Sequence, residues 1–202
     1  GQTPPRFPRK NMVTVAGQTL ELRAHGLAFG AARLDPGTQL LLETLHAQPP
    51  TQVTPEATVV DLGCGNGTIA AWLAHTGAAG KIIATDDSAA AVVSTTATLT
   101  ANGLSGVEVM HQSGLVELAD ASVDVVVLNP PFHSGTRLTS DIALFLFDEA
   151  ARALKPGGIL LTVFNVSRHY RPQLQRRVGT TRQLARDQRF IVTQSQKAQE
   201  DV

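Results

Sequence analysis

From residue 57 onward the chain alternates short, continuous apolar runs with longer stretches that each close on a glycine. The runs ATVVDLG, KIIAT, GVEVMH, SVDVVVLN and ILLTVFN are rich in Val, Ile and Leu and too short for buried helices, so they predict β-strands. Between them, NGTIAAWLAHTG predicts a helix stopped by Gly77. DSAAAVVSTTATLTANG predicts a second, with Asp87 or Ser88 as cap and Gly103 as stop. ALFLFDEAARALKPGG predicts an amphipathic helix closing on Pro156, Gly157 and Gly158. A polar helix follows near 171–178, and TRQLA and RFIVTQ then predict a closing antiparallel pair. Unbroken apolar strands alternating with helices predict a doubly wound α/β domain. Its sheet has seven strands, mostly parallel, with an antiparallel C-terminal strand.

Upstream, residues 12–23 alternate across Gly17 and Gln18 as a short β-hairpin would. FGAARLDPG reads as a loop, and TQLLLETLHA as a short helix ending before Pro49 and Pro50. Residues 1–11 hold three prolines and no apolar period, which predicts a flexible tail or linker ahead of one domain over 12–202.

Composition narrows the class. At 43% apolar and 17% charged, 202 residues suffice for one full hydrophobic core. A single cysteine, Cys64, excludes a disulfide scaffold and a multi-thiolate metal cage. The six histidines show no ligand spacing, so no metal is expected. No apolar run approaches the roughly 18–20 residues of a membrane span, and no leader pattern is present. Together these predict a cytoplasmic protein. The net charge is zero but unevenly spread: residues 101–150 carry one Arg against seven acids, residues 151–202 ten Lys or Arg against three. Seven arginines fall within 168–189, a candidate phosphate-facing edge.

VVDLGCGNG, residues 59–67, places glycines at 63, 65 and 67 between a strand and a helix. That is where doubly wound folds bind nucleotide-like ligands. Asp86, at the end of the next strand, suits a carboxylate accepting from both ribose hydroxyls. The loop is not the dinucleotide Gly-x-Gly-x-x-Gly, and Asp61 at its start would repel a pyrophosphate. A carboxylate there suits a cationic amino-acid group, which points to S-adenosylmethionine. Cys64 reads as a small filler within the loop.

The second motif, VDVVVLNPPF, carries a strand into Asn129, Pro130, Pro131 and Phe132 at the same end of the sheet. This arrangement suits methylation of a planar amino nitrogen. The Asn129 oxygen and the Pro130 carbonyl would accept its N–H groups, and Phe132 would stack on the base.

With both motifs in place, the chain resembles the bacterial ribosomal RNA guanine-N2 methyltransferases of the small- and large-subunit type. The resemblance runs from about residue 29 to 197. It rests on FGAARLDPGTQLLLETL, VVDLGCGNGTIA, ATDDSAAAV, LNPPFHSG, ALFLFDEAARALKPGG and VFN. It implies a class I methyltransferase, Rossmann-like fold using S-adenosylmethionine. The implied donor site is Asp61, Gly63, Gly65, Gly67, Asp86 and Asp87, with Leu34, Asp35 and Gly37 at its methionine end and Ser113 where the family often has an Asp or Asn. The implied catalytic group is Asn129 with Pro130 and Phe132. His133, Arg168, Arg171, Arg176 and Arg177 are the candidate contacts to ribosomal RNA or a ribosomal subunit particle. NPPF alone is shared with adenine-N6 and glutamine-N5 methyltransferases, so those acceptors stay open, as does a non-catalytic module. Family members commonly pair a degenerate RNA-gripping domain with a catalytic one, and this chain resembles the catalytic C-terminal half.

Overall fold

A computed structural model describes residues 9–26, 31–131 and 137–201. The hairpin comes first, β1 (Arg9–Val15) against β2 (Gln18–Ala24), turning at Ala16 and Gly17 with both at positive φ. Its ladder begins at Arg9 rather than Met12 and so takes in part of the expected tail. The remainder of that tail, 1–8, lies outside the described residues.

The order then runs α1 (Pro36–Ala47), β3 (Thr58–Leu62), α2 (Thr68–Thr76), β4 (Lys81–Asp86), α3 (Ala89–Ala101), β5 (Val107–His111) and β6 (Val123–Leu128). It closes with α4 (Arg137–Ala153), β7 (Leu154–Asn165), α5 (Arg171–Arg177), β8 (Thr180–Arg186) and β9 (Phe190–Gln196). The seven strands after the hairpin lie in the order β5-β4-β3-β6-β7-β9-β8, parallel except for β9, which is antiparallel to both neighbours. Successive residues of the central strands feed opposite faces. Val59, Val125 and Leu161 pack with α1 and α2, while Val60, Val126 and Leu160 pack with α4 and α5. Burial on both faces is why these strands carry no polar alternation.

The hairpin is fastened to α3 by side chains rather than by a third strand. Ser94, Thr98 and Asn102 recur every fourth residue and accept the β2 or adjacent N–H groups of His25, Arg23 and Glu21 at 2.9 Å. A sheet edge that would otherwise be open is thereby satisfied.

Two boundaries differ from the sequence expectation. Helix α4 starts at Arg137, ahead of the apolar run, and ends at Ala153. Leu154 then pairs with Val123, and the ladder shifts register before Ile159 pairs with Val125. Lys155 to Gly158 thus form a bulge on β7 rather than a helix end. Gly157 at φ 79 takes the left-handed turn this requires, and its N–H donates to the Lys197 carbonyl.

Candidate active site

Beside β3 the sheet reverses its winding: β3 leads through α2 to β4 on one side, and β6 through α4 to β7 on the other. Such a switch point opens a crevice at the carboxyl ends of the strands. Register sets what stands there. Leu62 pairs with Leu128 and with Thr85, so Gly63, Asn129 and Asp86 come at the same level of three adjacent strands. The crevice has a volume of about 480 Å³ and is lined by Gly63, Gly65, Asp86, Asp87, Ser113 and Asn129, among others. That size is ordinary for a small-molecule site.

The glycine loop is tied to β4, with the Gly63 and Cys64 N–H groups both donating to the Thr85 carbonyl. The Gly65 N–H donates to Asp86 Oδ2 at 3.0 Å, and the Ser88 N–H to Asp86 Oδ1 at 2.9 Å. Asp86 is therefore held by one backbone bond per oxygen, and each oxygen keeps capacity to accept another. Burial raises its pKa, and the two N–H groups oppose the rise.

The three glycines differ in duty. Gly63, at φ 73, faces open space where a Cβ would stand, so a ligand can approach its backbone. Gly67 does not line the crevice. At φ 82 it begins α2, and a Cβ there would meet the Thr95 backbone at 2.9 Å. It serves the close approach of α2 to α3, a correction to its expected place in the donor site. Gly37 is likewise not part of the lining: it is buried in α1, with a Cβ position 3.3 Å from the Phe190 ring. Leu34 packs on the core. Cys64 is buried, accepts from Thr95 Oγ1 at 3.1 Å, and has its thiol pushed up by burial, so it is no nucleophile.

Asp61 is 1% exposed and does not line the crevice either. Its Oδ2 accepts the Ala70 N–H at 3.0 Å, whereas Oδ1 is buried with no partner among the described residues. Burial pushes its pKa up to about 7, with a smaller contribution from the Asp86 charge. An orphaned carboxylate oxygen behind a glycine loop suits a cationic ligand group acting directly or through water. Together with the open face of Gly63 and the Asp86 carboxylate, it fits the donor that the sequence implied.

Asn129 is half-buried and borders two spaces, the main crevice and a chamber of about 40 Å³ beneath it lined by Asp35, Thr38 and the loop. Its Nδ2 donates to Asp35 Oδ2 at 2.8 Å and to Thr38 Oγ1 at 3.0 Å. Pro130 is buried, and Pro131 rather than Pro130 lines the crevice. Phe132 and His133 lie outside the described residues. The opposite wall, which sequence reasoning missed, is Ile142, Phe145 and Leu146 of α4 with Gln112 and Gly114. Asn66 was also missed. It donates to the Ala31 and Arg33 carbonyls at 2.9 Å, fastening the segment before α1 onto the glycine loop.

The arginine edge is divided by topology. Helix α5 runs back down the sheet, so Arg176 and Arg177 end near Thr180, which pairs with Gln196 at the end remote from the crevice. Arg177 is bound there by Asp148 at 2.6 Å. Arg186 and Arg189 lie at the crevice end, where Ile191 and Phe190 pair with Arg186 and Asn165. Arg168 follows β7 at that end and donates to Ser140 Oγ at 3.4 Å; Arg171 donates to the Thr181 carbonyl at 3.4 Å. No group of three or more metal-ligating side chains occurs among the described residues, and no helix among them is long and apolar enough to cross a membrane.

The winding, the glycine loop at the switch point and the crevice between β3 and β6 define a class I methyltransferase domain. The chain belongs to the methyltransferase small domain family, whose model matches residues 19–194. It is 38% identical over 173 residues to the ribosomal RNA large subunit methyltransferase G of Streptomyces avermitilis, covering 86% of this chain and 44% of that protein. It is 40% identical over 184 residues to the ribosomal RNA small subunit methyltransferase C of Chromohalobacter salexigens, covering 90% and 52%. Among solved structures, it superposes with a TM-score of 0.84 on the T. thermophilus 16S rRNA N2 G1207 methyltransferase in complex with AdoMet and guanosine. Identity there is 29%, over 97% of this chain and 52% of that one. The chain spans about half the length of the relatives it matches.

Proposed function

We propose that the chain is the catalytic part of an S-adenosylmethionine-dependent methyltransferase acting on the exocyclic N2 of a guanine in ribosomal RNA. The observation that carries this reading is the pairing of Leu62 with Leu128 on one side and Thr85 on the other, which sets the Asn129 carboxamide and Asp86 on either side of Gly63 in one crevice. Asp86 accepts the ribose hydroxyls, Gly63 and Gly65 bring backbone close to the ligand, and the Asp61 charge favours its cationic amino-acid end. When bound, the donor supplies a methyl group on a positively charged sulfur.

The remaining work belongs to the chain. An exocyclic amine on guanine is a weak nucleophile because its lone pair is delocalised into the ring. Asn129 Oδ1 accepts one N–H, which concentrates electron density on that nitrogen and stabilises the positive charge that develops as it is alkylated. The Pro130 carbonyl accepts the second N–H in this reading, and Phe132, next after Pro131, stacks on the base to hold the nitrogen in line. No strong base is required: the alkylated nitrogen is acidic and gives its proton to water. The target base must be exposed or flipped from its stack to reach Asn129. Arg168, Arg186 and Arg189 supply phosphate contacts at the crevice end of the sheet. The partner is ribosomal RNA or a ribosomal subunit particle, and the setting is the cytoplasm.

Titration with S-adenosylhomocysteine in a calorimeter, followed by tritiated methyl transfer into RNA, DNA and protein from methylation-deficient cells, tests this. Saturable heat and label in RNA are expected. Label in protein would favour a glutamine-N5 acceptor, label in DNA an adenine-N6 acceptor, and absence of heat a non-catalytic module.

A further inference from the structure

The Asn129 carboxamide has two chemically opposite ends, and only its oxygen can accept from an amine. Both hydrogens of Nδ2 are already used, one on Asp35 Oδ2 at 2.8 Å and one on Thr38 Oγ1 at 3.0 Å. Oδ1 has no partner among the described residues. A carboxylate can only accept, so rotating the amide by half a turn would set two lone-pair oxygens against each other. We propose that Asp35 and Thr38 are positioning residues that lock the Asn129 oxygen outward, so that the site selects an acceptor presenting N–H groups over one presenting only lone pairs. This rests on the proposed methyl transfer for its kinetic consequence, while the locking itself does not.

The segment LDPGT is built around that carboxylate. Asp35 is the N-cap of α1, and its Oδ2 also accepts the Thr38 N–H at 2.9 Å. Pro36 fixes the first turn without a donor to be satisfied. A Cβ on Gly37 would stand 3.1 Å from Asp35 Oδ2 and press on the Phe190 ring, so glycine leaves the carboxylate its place. Thr38 completes the turn and supplies the second acceptor. Asn66, through the Ala31 and Arg33 carbonyls, ties the segment to the glycine loop. The donor loop, the cap of α1 and the carboxamide therefore form one hydrogen-bonded unit. The Asp35 charge further polarises the amide, making Oδ1 a better acceptor as positive charge develops in front of it.

Thr38→Val removes one acceptor while keeping shape, and Asp35→Ser keeps a good N-cap but is too short to serve Asn129 as well. The full chain is assayed for turnover on ribosomal RNA lacking the modification and for S-adenosylhomocysteine affinity, and by nitrogen-15 NMR for proton exchange at the Asn129 side-chain amide. Turnover should fall roughly tenfold in Thr38→Val and roughly 10- to 100-fold in Asp35→Ser. The Asn129 amide protons should lose protection, with affinity and melting temperature nearly constant. Thr38→Ser should recover both the rate and the protection. Unchanged amide exchange in both variants would overturn the proposal. So would a loss of S-adenosylhomocysteine affinity in step with turnover, which would make these residues part of the donor pocket. A wild-type chain inactive on RNA would count against the proposed function, and amide exchange would still decide the positioning role.

Discussion

Asp61 carries the sharpest quantitative consequence of the site. Burial penalises the charge and pushes its carboxyl from the ordinary 3.8 up to about 7, and one of its oxygens has no partner among the described residues. The sign follows from proton counts: between those two values the folded chain holds a proton that the unfolded chain has lost, so stability falls as pH rises through this window. Raising the carboxyl from 3.8 to about 7 corresponds to roughly 4 kcal/mol of destabilisation once the pH exceeds 7. Asp61→Asn keeps an acceptor for the Ala70 N–H and removes the charge. The variant without ligand should therefore be more stable than the parent at pH 8, by up to roughly 4 kcal/mol. At pH 5 the advantage should shrink to less than half. Urea unfolding at the two pH values measures this, and calorimetry with S-adenosylhomocysteine should show affinity at least tenfold lower in the variant at pH 8. A variant less stable at pH 8, or equally affected at both pH values, would refute the idea that the site holds a costly charge for its ligand.

Asn129→Ala should reduce turnover roughly 100- to 1,000-fold, the usual loss on removing a preorganised polar group, with S-adenosylhomocysteine affinity nearly unchanged in the calorimeter. Gly67→Ala should destabilise the chain by about 1–3 kcal/mol in a thermal melt, because its Cβ would sit 2.9 Å from the Thr95 backbone. Gly63→Ala meets no clash but must hold a left-handed φ of 73, so it should cost about 1 kcal/mol of backbone strain in the same melt and lower S-adenosylhomocysteine affinity by crowding the ligand. Replacing Arg186 and Arg189 with Ala should weaken RNA binding and flatten its salt dependence, whereas replacing Arg176 and Arg177 should do neither; filter binding across salt concentrations separates the pairs.

What was legible in the sequence was local. The apolar runs announce the strands, and the glycine loop, Asp86 and Asn129 each stand at the end of one, so a sheet with the expected winding brings them together. The boundaries that moved had weak periodicity. The first turns of α4 hold Leu138 at 69% exposure, and a turn that buries little leaves no apolar stripe to read. The bulge at 155–158 arises because Leu154 finds a strand partner at Val123, which only the folded sheet supplies. Glycine spacing could not tell Gly63, which faces a ligand, from Gly67, which lets two helices touch. Asp35 and Asn129 meet at 2.8 Å although 94 residues separate them in the chain, and no pattern in either segment names the other. The arginines show the converse: neighbours in sequence between 168 and 189 are carried by α5 and β8 to opposite ends of the domain.

The most direct measurement is the identity of the nucleoside made when the chain is incubated with isotope-labelled S-adenosylmethionine and unmodified ribosomal RNA, digested and resolved by mass spectrometry. N2-methylguanosine is the expected labelled product in the parent chain, and it should nearly disappear in Asn129→Ala. Label on a ring nitrogen, on adenine or on a ribose oxygen, or undiminished label in the variant, would contradict it.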